Sequence, residues 1–399
     1  MGVVSPLGND VDTAFARLRE LRNCVEHLEL LDEFEGLNSH LAALSRFVYP
    51  ERYTRKVIRT MGEVSVLALN ATEQAVAQAG LTEAEIQGGR CGVAYGSCSG
   101  SIMPALDFHS MVATKKVQNI TSGTYLKLMP QTTAVNLSVH FKTHGRLVPT
   151  GTACTSGSLA LGNAAELIRW GLQDVMLAGG AEEFSPTQVA VFDTLYATSL
   201  KNDAPSTTPA PYEVTRDGLV IGDGAATFVL EEYEHARARG ATILAELVGF
   251  AETTDGTHVT NPNADTMKNA LTLALDDAGV DAAAIDYVSG HGTATKAGDI
   301  AETVATRAAF GRAVPISSLK SYVGHTLGAC GALESAMLVK SLSSGWFPPT
   351  LNLVNPDPAC AELDYIMGGG REIDAEFAMN NNFAFGGVNT SLVFRRTVQ

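Results

Sequence analysis

The stretch Gly151-Thr152-Ala153-Cys154-Thr155-Ser156-Gly157 sets one thiol among small residues. It heads a run, Ser156–Trp170, that is small or apolar nearly all round. Such a run reads as a buried central helix. Gly157 and Gly162 within it each weaken a helix by about 1 kcal/mol relative to Ala, so they point to close backbone approach. A helix N-terminus offers unpaired N–H groups and the positive end of a dipole. Both favour a thiolate, the nucleophilic form, so Cys154 is expected to attack a carbonyl. The strand–turn–helix setting follows the logic of a nucleophile elbow, although the motif is not G-x-S-x-G.

Two histidines sit in comparable loops. His291 opens His291-Gly292-Thr293-Ala294-Thr295, where small neighbours admit a substrate and the hydroxyls of Thr293 and Thr295 can hold its polar arm. His325 lies in Lys320-Ser321-Tyr322-Val323-Gly324-His325. Lys320 is expected to reach His325 and keep it neutral, since an ammonium disfavours imidazolium. A neutral Nε2–H can serve a developing oxyanion. Phe383-Ala384-Phe385-Gly386-Gly387-Val388-Asn389 follows an apolar strand, and its glycines allow a turn that exposes N–H groups. One of these, with the amide of Cys154, would make an oxyanion hole.

These loops need a scaffold, and the sequence repeats one. Cys91–Tyr95 runs into Gly96–Ser101, as Ile285–Ser289 runs into His291–Gly298. Leu147–Pro149 leads to Cys154 and its helix, as Val314–Ile316 leads to His325 and a helix of about Ala329–Leu342. Asp174–Ala178 ends in Gly179-Gly180, as Phe377–Asn381 ends in Phe383–Gly387. Strands alternating with helices imply βαβ units in a mainly parallel sheet, with the chemistry at the strands' carboxyl ends. The repeated order implies two α/β halves, 1–235 and 236–399, about a pseudo-twofold axis. Helices are also expected at Ala71–Ala79 and over Glu231–Arg239.

Composition excludes several classes. Of 399 residues, 45% are hydrophobic and 18% charged, a folded chain's balance. Lys+Arg 28 against Asp+Glu 43 leaves −15, the wrong sign for a nucleic-acid binder. No apolar run reaches the roughly 18 residues of a membrane span, and no secretory leader is expected. Six cysteines without a CxxC pair fit a reducing cytoplasm.

Together the cysteine turn, His-Gly-Thr-x-Thr-x-x-Gly-Asp, Lys-x-x-x-Gly-His and Phe-Gly-Gly-x-Asn make the chain resemble the β-ketoacyl-[acyl-carrier-protein] synthases, in the elongating KAS I/II branch of the thiolase-like superfamily. The resemblance spans the whole chain. It implies a duplicated thiolase-like fold layered α-β-α-β-α. It implies Cys154 as the acylated nucleophile, His291 and His325 completing a Cys-His-His triad, Lys320 supporting it, and Phe385 as a gate whose N–H joins the oxyanion hole. Gly386 and Gly387 would line the substrate path, Thr293 and Thr295 would hold the phosphopantetheine arm, and Glu334 would be a buried support. The partner implied is acyl carrier protein, with no metal or other cofactor, in a cytoplasmic homodimer or a heterodimer with a ketosynthase-like subunit. Arg52, Arg55, Lys56 and Arg59, read as a basic cluster near the start of a helix, match the family's carrier-docking region. The residues do not by themselves exclude a non-catalytic partner subunit, a thiolase or a thioester hydrolase.

Four departures from the family stand out. Its opening strand is expected to be missing ahead of Met1-Gly2-Val3-Val4. Lys296 replaces a usual Pro. Ala384 replaces a usual Gly, which is expected to alter loop opening if that position needs positive φ. Ser97–Met103 is unusual in composition where the family lines its acyl pocket.

Overall fold

Apolar strands bounded by glycine turns assemble into two main sheets in the computed structural model, which describes residues 1–397. The first sheet contains β1 (Gly2–Val4), β2 (Cys91–Gly96), β3 (Leu147–Thr150), β4 (Val175–Glu182) and β5 (Gly224–Glu231), in the spatial order β1-β5-β4-β2-β3. The second contains β6 (Ala245–Thr254), β7 (Ile285–Ser289), β8 (Pro315–Ser317), β9 (Asp364–Tyr365), β10 (Phe377–Ala384) and β11 (Val388–Arg396), in the order β6-β11-β10-β7-β8-β9.

The first five positions of the two orders match in direction as well as place. From β1 or β6 inward, the pairings run antiparallel, antiparallel, parallel, parallel in both sheets. This is the pseudo-twofold relation expected from the repeat. The sheets are nevertheless mixed, not mainly parallel. The reason is clearest at β10 and β11: three residues, Phe385–Gly387, join them, and a connection that short can only return antiparallel.

Helices α1 (Ser156–Arg169) and α2 (Cys330–Ser344) pack on each other between the two sheets. A Cβ at Gly157 would stand 3.0 Å from Ala332 N and Gly328 O, and one at Gly162 would enter the Phe250 ring at 2.3 Å. Both glycines thus serve close approach. Glu63–Ala79 covers β1 and β5 from outside, and Ala264–Ala278 covers β6 and β11. The layering is α-β-α-β-α, and the core lies on both faces of each sheet.

Some boundaries differ from the sequence reading. The helix expected from Ala71 begins at Glu63, and Glu231 ends β5, leaving a shorter helix at Tyr233–Ala238. Gly2–Val4 itself fills the edge of the first sheet, paired with Ala225–Thr227, although an opening strand was expected to be missing. A small sheet not anticipated joins Glu26–His27, Leu41–Ala43 and Ile221–Gly222. Ile221 in turn bridges to His325.

Candidate active site

The nucleophile turn is built by its own hydroxyls. β3 ends at Thr150, and a tight 3-10 turn, Ala153–Thr155, leads into α1. Ser156 Oγ accepts from Thr152 N at 3.0 Å and donates to Ala153 O at 2.6 Å, while Thr155 Oγ1 donates to Thr152 O at 2.7 Å. Ala153 is held at φ +50, a left-handed conformation that costs a non-glycine residue about 1 kcal/mol or more. Cys154 follows it, buried but facing a cavity.

His325 arrives from β8 by way of a helical turn, Lys320–Val323, and Gly324 at φ +64. Its backbone is anchored to the small sheet: His325 N donates to Val220 O at 2.7 Å, and Gly222 N donates to His325 O at 3.0 Å. Leu327 N donates to Nδ1 at 3.2 Å, so the neutral ring carries its proton on Nε2. That Nε2–H lies 3.0 Å from Cys154 Sγ.

His291 follows β7. Its backbone N–H and that of Gly292 donate to the two carboxylate oxygens of Glu302, at 2.5 and 2.7 Å. Asp299 accepts from Thr293 N and Ala294 N. Both acids project from the helix Lys296–Phe310 and shape the loop from beneath. Nδ1 of His291 accepts from Lys320 Nζ at 3.0 Å and from Asn382 Nδ2 at 3.3 Å, which leaves Nε2–H as its donor. The two imidazoles meet nearly edge to face, at 86° with centroids 5.2 Å apart.

Lys320 is the first correction. It contacts His291, not His325, because the Gly324 turn carries residue 325 across to Val220. Its ammonium is buried and donates to Glu334 Oε1 at 2.5 Å; Asn382 Nδ2 donates to the other Glu334 oxygen at 2.7 Å. Among His291, Cys330 and Glu334, which could otherwise hold a cation, the ammonium already occupies that place. Burial, reinforced by the Lys320 charge, drives both histidines well below the ordinary imidazole range, so both are neutral.

The thiol is the second correction. Burial pushes Cys154 up to about 12, and this outweighs the pull of Lys320 and of the backbone N–H groups of Phe385 and Cys154. Burial thus favours the thiol, against the thiolate that the helix end alone would favour. The same two N–H groups face the sulfur. They are the donors that the sequence assigned to an oxyanion hole.

A cavity of about 650 Å³ leads to Cys154, His291 and His325, walled by Thr293, Thr295, Phe385 and Gly387 among others. Thr293 and Thr295 hydroxyls lie 2.9 Å apart. Gly386 is not in the wall; its N–H donates to Val259 O at 2.8 Å and its φ of +92 makes the turn. Phe385 is about one-third exposed, 36%, and its ring stacks at 5.2 Å on Phe192. Ala384 costs no strain, because it ends β10 and the left-handed residues are Gly386 and Gly387. Lys296 stands on the wall as the first residue of its helix. Cys98, from the unusual loop, packs in the apolar cluster around Cys154.

Arg52, Arg55, Lys56 and Arg59 are exposed and lie in the turns that lead to the helix beginning at Glu63, near its start as expected. Arg52 is engaged by Glu73 at 2.6 Å. None of the four lines the cavity.

Sequence reasoning missed Asn382, Glu302 and Glu182, and it gave no role to Asp299, the last residue of His-Gly-Thr-x-Thr-x-x-Gly-Asp. Glu182 is fully buried and makes no ion pair among the described residues; it accepts from Cys98 N, Ser99 N and Gly328 N, and burial raises it to about 7. One signal was present: Asn380-Asn381-Asn382 is a polar run in the middle of a buried strand, where amides need dedicated partners.

Comparisons with known proteins agree with this geometry. The model for "Beta-ketoacyl synthase, N-terminal domain" matches residues 1–236, and that for "Beta-ketoacyl synthase, C-terminal domain" matches residues 244–354. The chain is 37% identical over 406 residues to 3-oxoacyl-[acyl-carrier-protein] synthase 2 of Vibrio harveyi, covering 100% of the chain and 98% of the relative. It is 36% identical over 402 residues to 3-oxoacyl-[acyl-carrier-protein] synthase 1 of Escherichia coli K12, covering 99% and 97%. Among solved structures, a beta-ketoacyl synthase from Burkholderia phymatum STM815 superposes with a TM-score of 0.98 at 55% identity, covering 100% of the chain and 98% of its own. The ishigamide ketosynthase/chain length factor gives 0.91 at 29%, with the same coverage. A thiol at a helix head, two neutral imidazoles and a duplicated thiolase-like fold thus coincide with full-length similarity, and the chain belongs to the β-ketoacyl synthase family.

Proposed function

We propose that the chain condenses malonyl-[acyl-carrier-protein] with an acyl group carried on Cys154, releasing CO2 and a 3-oxoacyl-[acyl-carrier-protein]. The observation that carries this reading is the approach of the His325 Nε2–H to Cys154 Sγ at 3.0 Å, under the amides of Cys154 and Phe385. In the first half-reaction the sulfur attacks the acyl thioester. The carbonyl oxygen becomes an oxyanion between the two amides, and the carrier thiol leaves with the proton that Cys154 gives up. Removing one donor from such a hole costs about 3–4 kcal/mol. In the second half-reaction malonyl thioester loses CO2, and the charge passes to the enolate oxygen. Two Nε2–H donors, from His291 and His325, meet it. The carbanion attacks acyl-Cys154, the sulfur leaves as a thiolate, and a proton from solvent restores the thiol. A cationic imidazole pair is not required, because the neutral rings already donate.

The condensation draws its driving force from CO2 loss and calls on no metal or redox cofactor. The partner is acyl carrier protein. In support, a similar structure, with a TM-score of 0.89 at 31% identity, is a type II PKS acyl-carrier protein in complex with its ketosynthase. Pairing is with a second copy or a ketosynthase-like subunit. The edge strand β3 and the helix Met103–Thr114, none of whose residues is buried, offer a surface for it. No helix among the described residues is long and apolar enough to cross a membrane. As a further part of the proposal, the reaction runs in the cytoplasm and serves fatty-acid or related polyketide or polyene synthesis. The test is malonyl-dependent CO2 release together with mass spectrometry of the acyl group on Cys154. Hydrolysis of acyl thioester without malonyl dependence, or no acyl-enzyme, would overturn the assignment.

A further inference from the structure

Far from the reacting atoms in sequence, Asp32 stands between two imidazoles. His27 Nε2 lies 3.0 Å from one Asp32 oxygen and His40 Nδ1 lies 2.6 Å from the other. The three ligand atoms fall within 4.8 Å of one another, and the group reaches solvent: His27 and Asp32 are exposed and His40 partly so. The second nitrogen of His40 is already committed, since Nε2–H donates to Leu37 O at 3.0 Å. A metal-bound histidine almost always uses its other ring N–H in this way. The Nδ1 lone pair of His40 therefore points at a carboxylate oxygen. Two electron-rich atoms that close must share a proton or a cation.

The local charge favours positive charge at that point. Residues 26–40 contain Glu29, Asp32, Glu33 and Glu35 and no Lys or Arg, while their remaining acid, Glu26, is paired with Arg46. We propose that His27, Asp32 and His40 bind one divalent transition ion of the Zn²⁺ class, with water completing the shell. Two imidazoles and one carboxylate select such an ion over Mg²⁺ or Ca²⁺, which take oxygen ligands. Bonds of about 2.0–2.1 Å put neighbouring tetrahedral ligands about 3.3 Å apart, so small side-chain rotations open the site.

The placement gives the ion a structural role. Leu31, beside Asp32, is fully buried in the apolar cluster that holds Cys154, Ile221 and Leu327. His40 leads directly into Leu41–Ala43, which pairs with Ile221–Gly222, and Ile221 bridges to His325. An ion here would clip the Glu29–Glu33 turn to both strands of its hairpin and brace the wall behind the nucleophile.

The test is titration of chelator-stripped protein with Zn²⁺ by calorimetry, with Co²⁺ as a spectroscopic probe. One ion per chain is expected, with a Co²⁺ spectrum lacking the near-ultraviolet charge-transfer band of a thiolate ligand. His27→Ala and Asp32→Asn, both at exposed positions, should each weaken binding about tenfold or more and abolish the Zn²⁺-induced rise in melting temperature. Cys154→Ala should leave binding intact. Failure to bind micromolar Zn²⁺, binding unchanged in both surface variants, or loss of the ion in Cys154→Ala would each overturn the proposal.

Discussion

Nε2 of His325 stands 3.0 Å from Sγ of Cys154 while its Nδ1 accepts the Leu327 N–H, so the imidazole presents a donor, not a base, to the sulfur. One ring nitrogen thus bonds the nucleophile, and the amides of Phe385 and Cys154 add their pull on its charge. They stabilise negative charge on the sulfur or on an oxygen bound beside it, without themselves changing charge. The tautomer is set by one backbone bond, so the function of His325 depends on the path of residues 325–327.

The first prediction concerns the sulfur. Cys154→Ala should abolish acyl loading and lower condensation by at least about 10⁴-fold, as loss of a covalent nucleophile does. Cys154→Gln should keep a measurable malonyl decarboxylation, because both histidine donors remain. Intact-protein mass spectrometry reads the first and CO2 release the second. An acylated Cys154→Ala protein would refute the assignment.

The two histidines should separate by half-reaction. His291→Ala removes a donor from the enolate site but none from the sulfur, so decarboxylation should fall roughly 10²–10³-fold while acyl-Cys154 still forms. His325→Ala should depress both steps, since Nε2 touches the sulfur. Single-turnover acylation and CO2 release, measured side by side, decide the matter.

Lys320 and Glu334 form a buried ion pair at 2.5 Å. Breaking such a pair by removing one partner costs about 3–5 kcal/mol. Lys320→Ala should therefore lose stability of that order, seen as a lower denaturation midpoint. Lys320→Met combined with Glu334→Gln should lose less, because no buried charge is left unpaired.

Alkaline pH supplies the fourth test. Cys154 holds its proton to about 12 in the folded state, against an ordinary value of 9.0. Between those values the unfolded chain has lost a proton that the folded chain keeps. The stability this group contributes is complete below pH 9.0 and is lost as pH rises toward 12, at up to about 1.4 kcal/mol per pH unit. Cys154→Ala should flatten the fall in denaturant midpoint over that window relative to the parent chain. Parallel curves would show that the thiol does not titrate as its burial requires.

Carrier docking is tested by charge. Arg55→Glu with Lys56→Glu should raise the KM for acyl carrier protein and reduce its salt dependence, leaving turnover at saturation unchanged. The turn holding these residues projects both into solvent, so the fold should tolerate the exchange. An unaltered salt profile would move docking elsewhere.

The duplication, the nucleophile turn and the two histidine loops were legible in the sequence because each is encoded locally. A small-residue turn, a glycine that permits close approach or a strand followed by a polar loop needs only neighbouring residues to declare itself. What lay beyond it were relations between segments distant along the chain. Lys320 could be seen to lie near a histidine, but the turn at Gly324 and the position of Asn382 on β10 decided that the histidine is His291. Cys154 could be seen at a helix head, but only its enclosure by both halves showed that desolvation defeats the dipole. Asp32 and the two histidines gained their meaning when a hairpin folded them onto one point. Residue types and local spacing determine which chemical groups are available and how the backbone turns at them; desolvation and pairing arise from atoms that meet only when the chain closes on itself, and those set each group's charge and partner.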